Sequence, residues 1–326
     1  MKLIIQIPCL NEEETLPKTI AELPKSIPGV DVVEYLVIDD GSTDRTVEVA
    51  KRLGVHHIIR LGSNRGLATA FCRGMEYALA QGAEVLVNTD ADNQYCGADI
   101  PKLIEPILMH EADLVIGCRP IIDHPEFGGV KKILERLGSW TLRKLSKTTV
   151  RDAPSGFRAL SRETCQRIFL HSHFSHCMET LIQAGCSGIR VASVDIRVNL
   201  KTRESRLFKS IPQYLRKSGG TILWMFILYR PFAFFTSLAC IPFSLAMILG
   251  FRFLYLVFWL TEPIPGRTYI PSLILLSVLA LCSVTLFALG IIGEILRSQR
   301  RVSEEVLFVQ RRIGVEKGLI SQYTSI

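Results

Sequence analysis

The chain has 326 residues and a formal net charge of +7, a length that suits one large domain plus an appendage. Nine cysteines, scattered, odd in number and without any C-x-x-C pair, exclude a disulfide scaffold and are expected to be reduced packing residues. The absence of internal repeats and low-complexity tracts excludes a solenoid or a linker-like polymer.

Taken in chain order, β-branched runs at 3–7, 35–38, 57–61, 85–88 and 114–117 predict strands buried on both faces. Between them, 15–23, 43–53, 66–81 and 100–109 have helical length and apolar spacing. This rhythm predicts an α/β fold with a mostly parallel, Rossmann-like sheet and helices on both faces. The apolar start at 3–7 is short and runs into Pro8 and the acidic cluster Glu12, Glu13 and Glu14, unlike a secretory leader, so the domain is expected to stay in the cytosol.

Ligands of such sheets collect at the carboxyl ends of the strands, and polar clusters fall there. Asn11 and Glu12 follow the first predicted strand, Asp39 and Asp40 the second, and Asp90 and Asp92 the fourth. Carboxylates at i and i+2 after a strand can converge on one hard divalent cation, with Gln94 as a further oxygen ligand. Mg²⁺ or Mn²⁺ held there would bridge to a diphosphate and act as a Lewis acid on a departing nucleoside diphosphate. Alone, the same spacing also describes a structural or helix-capping acidic pair.

Residues 130–145 place Ile133, Leu137, Trp140 and Leu145 at amphipathic spacing, for a helix on a bilayer or on an ordinary protein surface. His171, His173, His176 and Cys177 crowd together, but no second ligand pair with zinc spacing accompanies them, so a surface or acceptor-side loop is expected. Residues 207–229 form a candidate interfacial segment. The runs 232–260 and 270–292 each exceed the roughly 20 residues that cross a bilayer core. Arg203, Arg206, Lys209, Arg216, Lys217 and Arg230 precede the first run, and Arg297, Arg300 and Arg301 follow the second, so both flanks are expected on the cytoplasmic side. Basic residues gathered there suit anionic lipid headgroups, each worth about 1 kcal/mol, rather than nucleic acid. Arg252 lies inside the first run, where a functional role, snorkelling and a contact between protomers all remain open. The expected organisation is a domain over 1–205, a juxtamembrane segment over 206–231, two transmembrane helices within 232–296 and a cytosolic tail over 297–326. The hairpin also offers a surface for homo-oligomerisation.

Four segments in order, Ile7-Pro8-Cys9-Leu10-Asn11-Glu12-Glu13, Val37-Ile38-Asp39-Asp40-Gly41-Ser42-Thr43-Asp44, Asn64-Arg65-Gly66 and Asp90-Ala91-Asp92-Asn93-Gln94, resemble the pattern of inverting glycosyltransferase family 2. The resemblance covers roughly residues 2–200. With Asp152-Ala153-Pro154-Ser155-Gly156-Phe157-Arg158 and the two apolar runs, it looks most like the polyprenyl-phosphate branch, dolichyl-phosphate mannose synthases and bactoprenol glucosyltransferases among them. That likeness implies a GT-A-like fold and transfer from a nucleotide-sugar to an undecaprenyl or dolichyl phosphate, with inversion.

It further implies that Pro8, Leu10, Asn11, Glu12, Asp40, Asp90, Ala91, Asp92 and Gln94 bind the donor. Arg119, Lys131, Ser155 and Arg158 would meet the acceptor phosphate, and Arg203 would close over the donor diphosphate. Asp92, Arg119 and Arg203 would carry catalysis, with Glu179 near the acceptor. Where some lipid-linked glucosyltransferases carry Asp before Phe-Arg, this chain has Gly156, which excludes a base at that position and leaves Asp152 as a candidate organiser of the basic cluster. A phosphate monoester is already mostly anionic at neutral pH, its second pKa being about 6, so no strong base is needed. Two rivals are a processive polysaccharide synthase, against which the lack of a Q-x-x-R-W motif counts, and a non-catalytic membrane scaffold.

Overall fold

The computed structural model describes residues 1–120, 150–170, 176–199, 219–220, 223–224, 226–258 and 269–316. These fall into two compact units, one drawn from Met1–Tyr214 and Glu304–Ile326, the other from Leu215–Ser303.

The first unit alternates strand and helix. In chain order it contains β1 (Lys2–Cys9), α1 (Leu16–Glu22), β2 (Val32–Asp39), α2 (Thr46–Arg52), β3 (His57–Arg60), α3 (Leu67–Ala80), β4 (Val85–Asn88), α4 (Ile100–Leu108) and β5 (Leu114–Cys118). Then follow β6 (Arg158–Ser161), α5 (Arg162–Arg167), α6 (His176–Cys186) and β7 (Val191–Asp195). Among the described residues the sheet has seven strands in the order β3-β2-β1-β4-β6-β5-β7. All neighbours are parallel except β6, which runs antiparallel to both β4 and β5.

Successive residues of β1 point to opposite faces, and both faces are covered. Leu3, Ile5 and Ile7 join Val37, Val85, Val87 and Val115 in one core with Leu16 of α1 and Ile100, Leu103 and Ile104 of α4. On the other face α3 lies so close that Gly74 abuts Gln6 and Ile38. Continuous burial explains why these strands read as apolar runs rather than as alternating ones. Each fully buried Leu, Ile or Val contributes about 1.5–3 kcal/mol of transfer free energy.

Strand order reverses at the β1–β4 pair. β1 is followed by strands on one side of it, whereas α3 carries the chain back to β4 on the other. A crevice outside the carboxyl ends of strands opens at such a switch point. β6, antiparallel to both β4 and β5, begins at that same edge, so β5 and its parallel neighbour β7 end there.

The second unit holds α7 (Pro231–Phe258) and most of α8 (Ile270–Glu316), both long and apolar enough to cross a membrane. They pack through small residues. Ser283 donates its hydroxyl to the Ala239 carbonyl at 3.1 Å, Ala239 and Ala246 are buried, and Gly290 lies against Phe235 and Phe232. α8 continues unbroken past the apolar run as far as Glu316. The tail that the sequence suggests from 297 is thus helical through 316, with no proline after Pro271 to end the helix.

Candidate active site

The crevice is assembled from loops that leave the carboxyl ends of β1, β2, β4 and β5. After β1, Asn11 takes a positive φ of 55° and bridges to the loop after β2. Its N–H donates to Ser42 Oγ at 2.9 Å, and its Oδ1 accepts from the Thr43 N–H at 2.8 Å. Glu12 is buried; its N–H donates to Thr46 Oγ1 at 2.8 Å, and its carboxylate accepts from Thr15 Oγ1 at 2.6 Å. Pro8 and Leu10 flank this turn, Pro8 within β1 and Leu10 just after it.

Asp39 and Asp40, both buried at the end of β2, shape the next wall. Asp39 accepts from the Ser42 N–H at 3.0 Å. Asp40 accepts from the backbone N–H groups of Arg65 and Gly66 at 2.8 and 2.9 Å, tying the second loop to the start of α3. Gly41 is required at this junction. Its φ is +81°, and a Cβ there would stand 2.6 Å from the carbonyl carbon of Ser63. Asp40, which the resemblance assigns to the donor, thus also organises the loop around that position.

The segment after β4 alternates in exposure. Asp90, Asp92 and Gln94 are half-buried, while Ala91, Asn93 and Tyr95 between them are buried. Thr19 of α1 donates to the Ala91 carbonyl at 3.0 Å, and Gln94 N–H donates to Asp92 Oδ1 at 3.2 Å. Two carboxylates and an amide oxygen at alternate positions are hard donors, the chemistry that suits Mg²⁺ or Mn²⁺. Among the described residues no group of three or more His, Cys, Asp and Glu gathers that could by itself hold a metal ion.

Antiparallel β6 delivers the loop 152–157 into the same edge, with Arg158 opposite both Asn88 of β4 and Ile116 of β5. Buried Asp152 grips Arg119, accepting from Nε at 2.7 Å, from one Nη at 2.9 Å and from the Arg119 backbone N–H at 3.1 Å. Such a fork fixes the direction of the guanidinium. Gly156 lies against Asp90, where a Cβ would stand 3.2 Å from both carboxylate oxygens. Its N–H donates to the Tyr95 hydroxyl at 3.0 Å, and its carbonyl accepts from Asn88 Nδ2 at 2.8 Å. Nothing in the sequence singles out Asn88 or Tyr95; they matter because a neighbouring strand brings Gly156 to them.

Arg158 and Ser155, both read from the sequence as phosphate contacts, are fully buried. Arg158 donates to the carbonyls of Ser155, Cys177 and Ala153 at 2.8, 2.7 and 2.6 Å. Its guanidinium thereby braces the backbone that carries Asp152 and Gly156. The Ser155 hydroxyl is buried without a hydrogen-bond partner among the described residues.

These charges also act on the buried groups around them. Burial pushes the Cys177 thiol up to about 11, with Arg158 and Arg119 pulling down and Asp90 and Asp152 pushing up. The Tyr95 hydroxyl is raised first by burial and then by Asp90, against an opposing pull from Arg119. Asp90, lying against Gly156, and Arg119, clamped by Asp152, thus meet on the loop that Arg158 braces. His176 stacks on Phe71, ring centroids 4.4 Å apart, and burial followed by Arg158 lowers it to about 3. Its position in the core does not suit a zinc ligand, and His171 and His173 lie outside the described residues. Glu179 is fully buried in α6.

After β7 the chain is fastened along the acidic segment. Tyr95 and Val198 form a β-bridge, the Asn199 N–H donates to the Gln94 carbonyl at 2.8 Å, and Asn199 Nδ2 donates to Glu22 at 2.7 Å and to the Asn93 carbonyl at 3.1 Å. Arg197 binds the buried carboxylate of Asp99 through Nε, Nη and backbone N–H. Lys131 and Arg203, expected on the acceptor and donor phosphates, lie outside the described residues, as do the amphipathic stretch 130–145 and most of 207–229.

Similarity to known proteins agrees with this geometry. The chain is 32% identical over 238 residues to a dolichol-phosphate mannosyltransferase of Pyrococcus furiosus, covering 69% of this chain and 64% of that protein. It is 31% identical over 179 residues to an undecaprenyl-phosphate mannosyltransferase of Micrococcus luteus, covering 52% of this chain and 70% of the other. In fold it resembles glucosyl-3-phosphoglycerate synthase from Mycobacterium tuberculosis, solved with Mn²⁺, uridine diphosphate and phosphoglyceric acid. That likeness has a TM-score of 0.53 at 21% identity, over 69% of this chain and 77% of that one. The sheet is accordingly GT-A-like. The sequence model of Glycosyl transferase family 2 matches residues 4–169, which hold every crevice loop from β1 to α5, and the chain belongs to that family.

Proposed function

We propose that the protein transfers a sugar from a nucleotide-sugar to a polyprenyl phosphate, with inversion, at the cytoplasmic face of a membrane that α7 and the apolar part of α8 cross. The single observation that carries this reading is that one loop, 152–157, meets Asp90 at Gly156 and clamps Arg119 with Asp152, at the edge where β4 and β5 end. Relatives named for dolichol phosphate and undecaprenyl phosphate as acceptors support the substrate class.

Asn11, Glu12 and Asp40 line the wall for the nucleoside. Asp90, Asp92 and Gln94 would hold Mg²⁺ or Mn²⁺, which supplies Lewis-acid charge to the leaving diphosphate when bound. Arg119, aimed by Asp152, receives the acceptor phosphate, whose oxygen is already anionic at neutral pH. That oxygen attacks the anomeric carbon in line, a carbon–oxygen bond forms to the lipid phosphate, and the bond to the nucleoside diphosphate breaks. Positioning and charge stabilisation supply the rate enhancement. Ser155 and Arg158 act behind the surface by fixing the loop that carries Asp152 and Gly156. Arg203, four residues after Asn199 in the sequence, would close over the donor diphosphate.

The test is a donor screen on the full chain in liposomes containing undecaprenyl or dolichyl phosphate, with Asp92→Ala alongside. Lipid-linked sugar should form with at least one donor and vanish in Asp92→Ala while the variant still inserts. No product from any donor would favour a non-catalytic scaffold, and near-wild-type turnover by the variant would remove Asp92 from the mechanism.

A further inference from the structure

The last turns of α8 belong to the glycosyltransferase unit and are fastened there by side chains. Arg311 donates through one Nη to the Ile168 carbonyl at 2.7 Å and through the other to Glu76 Oε1 at 3.2 Å. Its guanidinium also lies 4.1 Å from the centroid of the Phe169 ring. Three residues earlier, Phe308 is 8% exposed beneath the guanidinium of Arg167, 4.1 Å from its ring centroid. Arg167 in turn bonds Glu163 at 2.9 Å and faces Glu305 at 3.7 Å.

A lone surface ion pair contributes little, because water and salt screen it and two long side chains must be ordered. Arg311 is different. Only 18% exposed, it joins a carbonyl, a carboxylate and an aromatic face, the three kinds of partner a planar guanidinium satisfies at once. Its two anchors lead to elements that are each bonded to a crevice loop. Glu76 sits on α3, whose start, Arg65–Gly66, is bonded to Asp40. Ile168 and Phe169 follow α5; the backbone of Phe169 exchanges hydrogen bonds with the Gln183 side chain of α6, and the Cys177 carbonyl of α6 receives Arg158.

Resting on the reading of the chain as a lipid-phosphate glycosyltransferase, we propose that Arg311 is a positioning residue that latches the carboxyl end of the second apolar helix onto the catalytic unit. The crevice is then held to the membrane by two tethers, the segment before α7 and the latched end of α8. A second tether raises the effective concentration of the site at the lipid surface without any new contact to substrate.

Three measurements on the full chain in liposomes test this with Arg311→Ala and Arg311→Lys. The first is KM for long-chain polyprenyl phosphate in the bilayer, the second is turnover of a short-chain, water-soluble polyprenyl phosphate, and the third is amide exchange over 304–316. Arg311→Ala removes both charge-assisted hydrogen bonds, should raise KM for the embedded acceptor at least about tenfold, and should deprotect 304–316. Turnover of the soluble acceptor and KM for the donor should stay as in wild type, and Arg311→Lys should recover part of the loss. Equal losses with both acceptors, or unchanged exchange in Arg311→Ala, would overturn the latch. A wild-type protein inactive with both acceptors would instead sink the functional reading, while the exchange pattern would still decide the latch.

Discussion

Replacing Gly156 by alanine probes the acidic site without touching a carboxylate. The new methyl would stand 3.2 Å from both oxygens of Asp90, a few tenths of an ångström inside ordinary contact. The backbone cannot retreat, because the Gly156 N–H is bonded to the Tyr95 hydroxyl and its carbonyl to Asn88 Nδ2, while the Tyr95 ring stacks on Phe157 at 5.1 Å. Asp90 must therefore rotate. Misplacement of about 1 Å in a catalytic site costs about a hundredfold, so a shift of a few tenths should lower kcat/KM about tenfold. Half-saturation by Mn²⁺ should rise in step, since the carboxylate is what moves. Gly156 has no left-handed φ, so alanine is conformationally acceptable, and global stability should change by no more than about 1 kcal/mol. The assay is turnover against Mn²⁺ concentration, with thermal unfolding in detergent as the control. Wild-type metal dependence in a folded Gly156→Ala protein would refute the placement of Asp90 at the metal.

Asp152→Asn removes the charge that aims Arg119 and should raise KM for the acceptor about 10- to 100-fold with the donor KM unchanged, measured by steady-state kinetics. Arg158→Met leaves the carbonyls of Ala153, Ser155 and Cys177 without their donor and should lower stability by about 3–5 kcal/mol in chemical unfolding, a loss too small to see if Arg158 reached solvent. His176 is held neutral, lowered to about 3 by burial and then by Arg158, whereas in the unfolded chain it titrates near about 6.5. Between those values the unfolded chain binds a proton that the folded one does not, so stability falls as pH is lowered through that window, by up to about 1.4 kcal/mol per unit. His176→Phe, which keeps the stack on Phe71, should flatten that slope in unfolding measured from pH 7 to pH 4; an unchanged slope would show that another group sets it.

Local order was legible from residues alone. The runs at 3–7, 35–38, 85–88 and 114–117 became β1, β2, β4 and β5 because burial on both faces demands unbroken apolar strands, a signal carried by a few consecutive side chains. The acidic pair at 90 and 92 could be put after a strand, and two long apolar helices could be foreseen, from spacing and length. β6 could not. Arg-Ala-Leu-Ser is four residues with no alternation, and it is a strand only because β4 and β5 lie on either side to receive it.

That insertion decided the site. Running antiparallel, β6 starts where its neighbours end, so it carries Asp152 to Arg119 and Gly156 to Asp90 across separations of 33 and 66 residues. The same step turned Arg158 inward, away from the phosphate it was expected to meet, because its guanidinium is enclosed by the carbonyls of Ala153, Ser155 and, from α6, Cys177. Composition and periodicity thus determined that this is an α/β domain with apolar helices and acidic strand ends. Which charges face one another was decided by strand order and direction, since contacts between residues remote in sequence depend on how the sheet is assembled rather than on any local pattern.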